Sequence, residues 1–407
     1  MKKQPIDRQA VEDVIYDLAR TTDEIFSLAE LKKLLASGRQ LRIKYGVDVT
    51  AADLHIGHAV NLWMYRRLQE MGHKIIFLIG DFTTQIGDPS GRNKQRPIIP
   101  PAEIKKNAKE FIRQAKMVLL DNRKVLEIRH NSEWYNKMSA KELLSLMSMV
   151  TNDRLLARDM FRQRIKDGVE IYEHELIYPI LQGYDSVMLE ADLTIIGSDQ
   201  LYNEMMGRFY QEKFGQSPQV IMTSKITPGI DGKAKQSKSI GNYIGLMHSP
   251  REKFGRVMSM PDELIIQYFK IYTDRPLSEI DKMAKQVDND PMQYKLKLAE
   301  AIVGRYHGEK VAQQERDWFQ KTFSQQQTPK NIPVIQMGQT SATVYDIVRS
   351  CFDQADKSNS DIRRLIEQKA VKVAGQAKTD GEETIQIDST GLEIKVGKRH
   401  WFKVLPK

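Results

Sequence analysis

Residues 41–79 constrain the fold more than any other stretch of the chain. LRIKYGV (41–47) is an apolar run of strand length, and IIFLI (75–79) is a stronger one. Between them Val60, Met64 and Leu68, with Leu62 and Met71 nearby, fall at helical spacing, and Gly72 offers a C-cap. Strand, helix and strand within about forty residues make a βαβ unit, which implies a parallel sheet.

Further strands are predicted at 125–128 (VLEI), 193–196 (LTII) and 219–222 (QVIM), with helices between them, notably over 101–119 and 141–160. Residues 8–36 read as one or two helices, with Thr21-Thr22-Asp23 as a cap between them. After residue 245 the strand signals stop, and 250–322 reads as almost entirely helical. FSQQQTPKNIP then reads as a linker, polar and with two prolines. The tail has helical patterns at 343–351 and 360–369. It ends in short strand-like runs, VKV, TIQI and LEIKV, punctuated by Gly375, Gly381, Gly391 and Gly397. The expected organisation is an α/β parallel-sheet domain (1–245), a helical domain (246–325), a linker (326–340) and a small α+β domain (341–407).

The formal charge of +9 permits a polyanionic partner, but the excess is spread thinly and does not by itself argue for nucleic acid. A single cysteine, Cys351, excludes an intrachain disulfide framework and a cysteine-built zinc cage, and fits a reducing cytoplasm. The N-terminus starts basic with no apolar run behind it, unlike a signal peptide, and no apolar segment is long enough to span a bilayer.

In a parallel sheet, ligands sit beyond the carboxyl ends of the strands, where helix N-termini direct free N–H groups. His55-Ile56-Gly57-His58 opens the helix that follows the first strand of the βαβ unit. Its imidazoles could donate to phosphate oxygens, and Gly57 would let a flat ring approach the backbone. The same pair could bind a metal or simply cap the helix, although no nearby carboxylate or third histidine completes a metal set. Lys235-Gln236-Ser237-Lys238-Ser239 lies in a glycine-punctuated loop suited to clamping a polyphosphate, or to being a solvated basic loop. There is no Gly-x4-Gly-Lys-Ser/Thr, and no Gly-x-Gly-x-x-Gly follows the first strand. Tyr178, Gln182 and Asp185, at i, i+4 and i+7, share one helical face. They could converge on an amino acid, or cap and pack a core helix. Asp199 suits a ribose contact or a helix N-cap equally.

The two motifs in this order on a parallel α/β domain resemble the class I aminoacyl-tRNA synthetases. YGVDVTAADLHIGH, GDFTTQIGDPSGRNKQRP, YPILQGYDSVML and IGSDQLYNEMMGR are similar to the bacterial tyrosyl-tRNA synthetases within that class. The likeness resumes in SNSDIRRLIEQKAVKVAGQ (358–376), which is similar to the S4-like RNA-binding module that ends such chains. The resemblance implies a Rossmann-like catalytic domain, a helical domain that meets the anticodon arm, and an S4-like domain. It implies in-line attack of the L-tyrosine carboxylate on the α-phosphate of ATP, release of pyrophosphate, and transfer of tyrosine to the 3′ end of tRNA(Tyr). Mg2+ would accompany ATP, with no structural metal, and the family works as a cytoplasmic homodimer without a membrane.

By the same resemblance Asp185 accepts from the substrate phenol, while Tyr178, Gln182 and Asp88 hold its ammonium group. Asp48 lies near the amine and the ribose, and Gln200 reaches toward the carboxylate. Gly57, Gly197 and Asp199 meet the adenosine. Thr50, His55, His58, Lys235 and Lys238 steady the phosphates, and Arg92 and Arg96 meet the departing pyrophosphate. Arg363, Arg364, Lys369 and Lys372 would form one basic face for RNA; the tail's near-balanced charge keeps a protein–protein module open as the alternative, and the resemblance favours RNA. Three positions depart from the family pattern: Val49 stands where proline is usual, Gln236 replaces a methionine, and Ile196 replaces a glycine. These leave open a diverged copy that takes a tyrosine-like acid. A non-catalytic RNA-binding protein on the same scaffold is the other alternative, and the retained histidines, loop lysines and Asp185 argue against it.

Overall fold

The computed structural model describes residues 8–50, 53–89, 99–238, 240–324, 332–352, 357–397 and 400–406. The chain divides into two compact units, Met1–Gln313 and Gln314–Lys407.

The first unit is built on six strands: β1 (Thr22–Phe26), β2 (Arg42–Val47), β3 (Lys74–Ile79), β4 (Leu126–His130), β5 (Leu193–Gly197) and β6 (Val220–Ser224), in the order β1-β6-β5-β2-β3-β4. Strands β2 to β6 run parallel, and β3, β5 and β6 are apolar and almost wholly buried, as a sheet covered on both faces requires. β1 corrects the helical reading of 8–36. TDEIF carries too few apolar residues to announce itself, yet it pairs antiparallel on the β6 edge between the helices Arg8–Ala19 and Leu28–Ala36. The helix predicted over 141–160 is three helices, Ala140–Met147, Asn152–Leu156 and Asp159–Lys166; the Thr151 hydroxyl, accepting from Arg154 N–H, caps a fresh start in mid-segment.

The βαβ unit forms with the helix Ile56–Glu70, and Gly72 (φ 89°) follows its last turn. β2 lies between β5 and β3, so the chain reverses its direction of winding here. The β2–β3 ladder runs from Arg42↔Lys74 to Val47↔Ile79, whereas β2 and β5 pair only at Ile43↔Leu193 and Lys44↔Thr194. The Tyr65 hydroxyl, from the crossover helix, fills the gap beyond. It lies 2.8 Å from Lys44 O and 2.7 Å from Ile195 O, and accepts from Ile195 N–H at 2.9 Å. The sheet thus opens at its carboxyl edge without stranding backbone groups.

The helices Pro250–Met258, Ile265–Tyr272, Leu277–Ala284 and Pro291–His307 belong to the same compact unit as the sheet, so its boundary falls later than the expected 245/246. The packing explains why: Trp63 of the crossover helix donates to Tyr306 Oη at 3.1 Å, with Arg305 3.7 Å over its ring. In the second unit β7 (Val334–Met337) lies inside the expected linker. The rest of that unit's strands are β8 (Ser341–Thr343), β9 (Val371–Val373), β10 (Gln376–Lys378), β11 (Thr384–Gln386), β12 (Leu392–Val396) and β13 (His400–Pro406). A sheet of order β10-β9-β12-β13-β7 receives the helices Val344–Ser350 and Asn359–Glu367 on the side carrying Val371, Val373, Ile394 and Val396, and β8 pairs with β11. The linker's 326–331 portion lies outside the described residues.

Candidate active site

A cleft of about 310 Å³ opens at the carboxyl ends of β2, β3 and β5. Asp48, Thr50, His58, Asp88, Tyr178, Gln182, Asp185 and Gln200 all line it, so two ends of the chain's first 200 residues meet in one place. The shared face of Tyr178, Gln182 and Asp185 is turned toward this space by the helix Glu173–Met188.

Asp185 sits at the closed end, 4 % exposed. Its Oδ1 accepts from Trp134 Nε1 at 3.0 Å and its Oδ2 from Asn131 Nδ2 at 3.4 Å. Burial pushes its carboxyl up to about 7, and the Lys44 charge is the strongest influence pulling it back. Neither Asn131 nor Trp134 was singled out in the sequence. The available signal was their position just past the end of β4, at the ligand edge of the sheet. Lys44, 1 % exposed on β2, also lines the cleft; its signal was a cation inside an apolar run.

In the middle of the cleft the polar groups hold one another. Tyr178 Oη donates to Asp48 Oδ2 (3.0 Å), and Thr83 Oγ1 donates to Asp48 Oδ1 (2.8 Å). Gln200 Nε2 donates to Asp88 Oδ2 (2.7 Å), and Asn203 Nδ2 bridges the side-chain carbonyls of Gln182 (2.9 Å) and Gln200 (3.0 Å). Asp199 lies in the turn Ser198–Gln200, its Oδ1 2.6 Å from where a side chain on Gly197 would begin, so that glycine admits the carboxylate. Arg158, buried over the Tyr202 ring, feels the charges of Asp88 and Asp199 and was likewise not foreseen.

At the open end the two imidazoles stack with centroids 3.7 Å apart, and His58, not His55, lines the cleft. The His55 backbone N–H donates to His58 Nδ1 at 3.2 Å, which leaves the His58 hydrogen on Nε2, free to donate. Burial, aided by Lys238 and Lys235, pushes His58 down to about 4, and burial with His58 and the same lysines pushes His55 to about 2. Both rings are therefore neutral hydrogen-bond donors near pH 7. Among the described residues no three His, Cys, Asp or Glu side chains gather to hold a metal. A side chain on Gly57 would meet His55 Nδ1 at 2.9 Å and Thr227 Oγ1 at 3.1 Å, so the glycine is needed first for packing within the protein.

The lysine loop is brought to this helix by backbone bonds: Ile56 N–H to Ile244 O at 2.8 Å and Leu246 N–H to Leu54 O at 2.9 Å. Lys238 reaches Asp53 at 3.0 Å. Gln236 is buried, donating to Tyr272 Oη at 2.6 Å and accepting from Ile244 N–H at 3.3 Å. Val49 is also buried, and its N–H donates to Thr84 Oγ1 at 3.0 Å, a bond proline could not make. Arg92 and Arg96 lie outside the described residues.

In the second unit Arg363 stacks 5.5 Å over Tyr345, Arg364 pairs with Asp361 at 2.9 Å, and Lys369 follows the helix with φ 57°. The expected single basic face does not form. Lys372 alternates with the core residues Val371 and Val373, so it leaves the sheet on the side away from the helices, opposite Lys395.

Residues 36–324 match the family model described as tRNA synthetases class I (W and Y). The chain is 40% identical over 384 residues to the tyrosine–tRNA ligase of Aquifex aeolicus, covering 94% of this chain and 96% of that one. It is 38% identical to the tyrosine–tRNA ligase of Thermotoga maritima, covering 97% of each. Among solved structures, a C-terminally truncated Aspergillus nidulans mitochondrial tyrosyl-tRNA synthetase superposes with a TM-score of 0.66 at 22% identity, over 78% of this chain and 97% of that one. The Archaeoglobus fulgidus tyrosyl-tRNA synthetase complexed with L-tyrosine gives 0.58 at 21% identity, over 75% and 99%. These two likenesses speak for the fold.

Proposed function

The chain belongs to the tyrosyl-tRNA synthetases of class I, and we propose that the 310 Å³ cleft is where it joins L-tyrosine to ATP. It activates tyrosine to the adenylate with release of pyrophosphate and transfers the tyrosyl group to tRNA(Tyr). The observation that carries the assignment of the cleft is Asp185: a buried carboxylate at the closed end of a cavity whose other end is lined by a neutral imidazole.

Asp185 accepts the phenolic O–H. Asp48, Asp88, Tyr178, Gln182 and Gln200 hold the ammonium and orient the carboxylate toward the α-phosphate. The adenosine lies along Gly57, Gly197 and Asp199. Mg2+ carried in with ATP would shield its phosphates. As the carboxylate oxygen attacks and the bond to pyrophosphate breaks, charge grows on the departing oxygens. Thr50, His55, His58, Lys235 and Lys238 steady it there, joined by Arg92 and Arg96. No covalent link to the protein is needed, so rate comes from positioning and preorganised donors.

The helices after residue 245 meet the anticodon arm, and Arg363, Arg364, Lys369 and Lys372 of the S4-like unit meet tRNA on two faces. The chain works as a homodimer in the cytoplasm. Leu144, Ile165, Val169, Tyr172 and Phe214 are exposed apolar side chains of the kind a second copy would cover. No helix among the described residues is long and apolar enough to cross a membrane.

The deciding experiment is ATP–pyrophosphate exchange with a panel of aromatic amino acids, followed by charging of tRNA(Tyr). Tyrosine should be preferred strongly, and Asp185→Ala should abolish the preference. Exchange that is indifferent to Asp185 would remove the cleft from the reaction.

A further inference from the structure

The floor of the cleft contains an ion pair to which the reaction above gives no task. Lys44 Nζ lies 2.7 Å from Glu204 Oε2, with the two side chains 1% and 2% exposed. The ammonium also donates to Ser186 Oγ at 2.7 Å. Both oxygens of Glu204 are engaged: Oε1 accepts from Gln182 Nε2 at 2.9 Å, and Oε2 accepts from Gln219 Nε2 at 2.7 Å as well as from Lys44. Lys44 is not saturated. An ammonium carries three N–H donors, and among the described residues two are used. A buried donor without a partner is costly, and a buried ion pair is a poor source of stability in itself. Both residues line the same cavity as Asp185, and Ser186, the anchor of Lys44, is the next residue after Asp185. The spare donor therefore belongs to the end of the cleft where the phenol is read.

We propose that Lys44, held in place by Glu204 and Ser186, is a second specificity-determining residue: its third N–H donates to the phenolic oxygen of L-tyrosine while the phenolic O–H donates to Asp185. The proposal rests on the reading of Asp185 as the phenol's acceptor. A pocket of this kind demands a group that both gives and takes a hydrogen bond at one atom. Phenylalanine does neither. p-Aminophenylalanine gives one to Asp185 but takes one poorly, because its nitrogen lone pair is delocalised into the ring. Glu204 contributes by fixing the ammonium and by balancing its charge, so that the tyrosine side chain can enter uncharged.

The test is pyrophosphate exchange by the full chain with tyrosine and p-aminophenylalanine as substrates. The wild-type protein should favour tyrosine by about 10- to 100-fold in kcat/KM, the worth of a hydrogen bond from a charged donor. Equal use of the two by the wild-type protein would overturn the proposal without any mutation. The double variant K44M/E204Q, which removes both charges together, should lose a similar factor for tyrosine. Its activity with p-aminophenylalanine should stay within about threefold, well below the loss of such a bond. A uniform loss for both substrates would mark the pair as structural and overturn the proposal. Asp185→Asn, by contrast, should weaken both substrates. If it weakens neither, the phenol-site reading itself has failed, a result distinct from failure at Lys44.

Discussion

At the closed end of the cleft, where we place the phenol, the polar groups stand on regular elements: Lys44 on β2, Tyr178, Gln182 and Asp185 on one helix, and Glu204 on the helix Leu201–Lys213. At the open end, where we place the phosphates, Thr50 and Asp53 lie between β2 and the crossover helix, and the two lysines stand on a loop. Burial differs in the same way. The Lys44–Glu204 pair is sealed, whereas the Lys238–Asp53 pair is 33% and 64% exposed. Recognising one hydroxyl requires donors and acceptors that cannot relax around the wrong ligand. Expelling pyrophosphate requires groups that let go of it. Rigid, dry walls suit the first task and solvent-facing segments the second.

The contrast breaks most visibly at Asp185. Asp185→Ala should collapse discrimination between tyrosine and phenylalanine, read as the ratio of kcat/KM in pyrophosphate exchange. The general figure for a hydroxyl-reading pocket, about 10⁴- to 10⁵-fold, is itself taken from tyrosyl-tRNA synthetases. At the other end His55→Asn or Lys238→Ala should slow adenylate formation by about 10²- to 10³-fold, or 2.7–4 kcal/mol, in pre-steady-state kinetics. Tyrosine affinity, measured separately, should hardly move. A comparable loss of tyrosine affinity would mean the two ends are not separable.

Burial also makes the phenol end a thermodynamic burden. The Asp185 carboxyl rises from 3.8 to about 7 on folding, so the folded chain binds the extra proton between those values. Stability from this group is therefore highest below pH 4, falls as pH rises, and is lowest above 7. Asp185→Asn should raise Tm at pH 8, by about 2–4 °C for each kcal/mol relieved, and by less at pH 5. An equal rise at both pH values would show that the carboxylate's charge is not the cause.

The sheet was legible because β3, β5 and β6 are buried on both faces and read as unbroken apolar runs. β1 was not, because an edge strand with Asp23 and Glu24 exposed has no such signature. The Tyr178, Gln182 and Asp185 face could be seen because a helix repeats locally. Lys44 with Glu204, and Asp185 with Trp134, are contacts between residues far apart in the chain, and no local period encodes them. The basic face of the tail failed for the same kind of reason: a helix-to-strand connection does not reveal which way the strand alternates, and Lys372 faces away from the helices.

Smaller effects should come from two of the three departures from the family pattern, Gln236 and Val49. Gln236→Leu strands the Ile244 N–H and removes the amide that donates to the Tyr272 hydroxyl, worth about 1–3 kcal/mol. Adenylate formation should slow by about tenfold while the tyrosine KM is unchanged. Val49→Pro deletes one buried bond to Thr84 and should lower stability by about 0.5–1.5 kcal/mol in a denaturant melt, leaving substrate preference intact.

The Tyr65 hydroxyl, wedged between Lys44 O and Ile195 with β2 and β5 diverging beyond it, sets the width of the cleft from behind. The aperture exists before any amino acid arrives, propped by the scaffold's own phenol. An incoming tyrosine has no strands to prise apart, so little of its binding energy goes into reshaping its host.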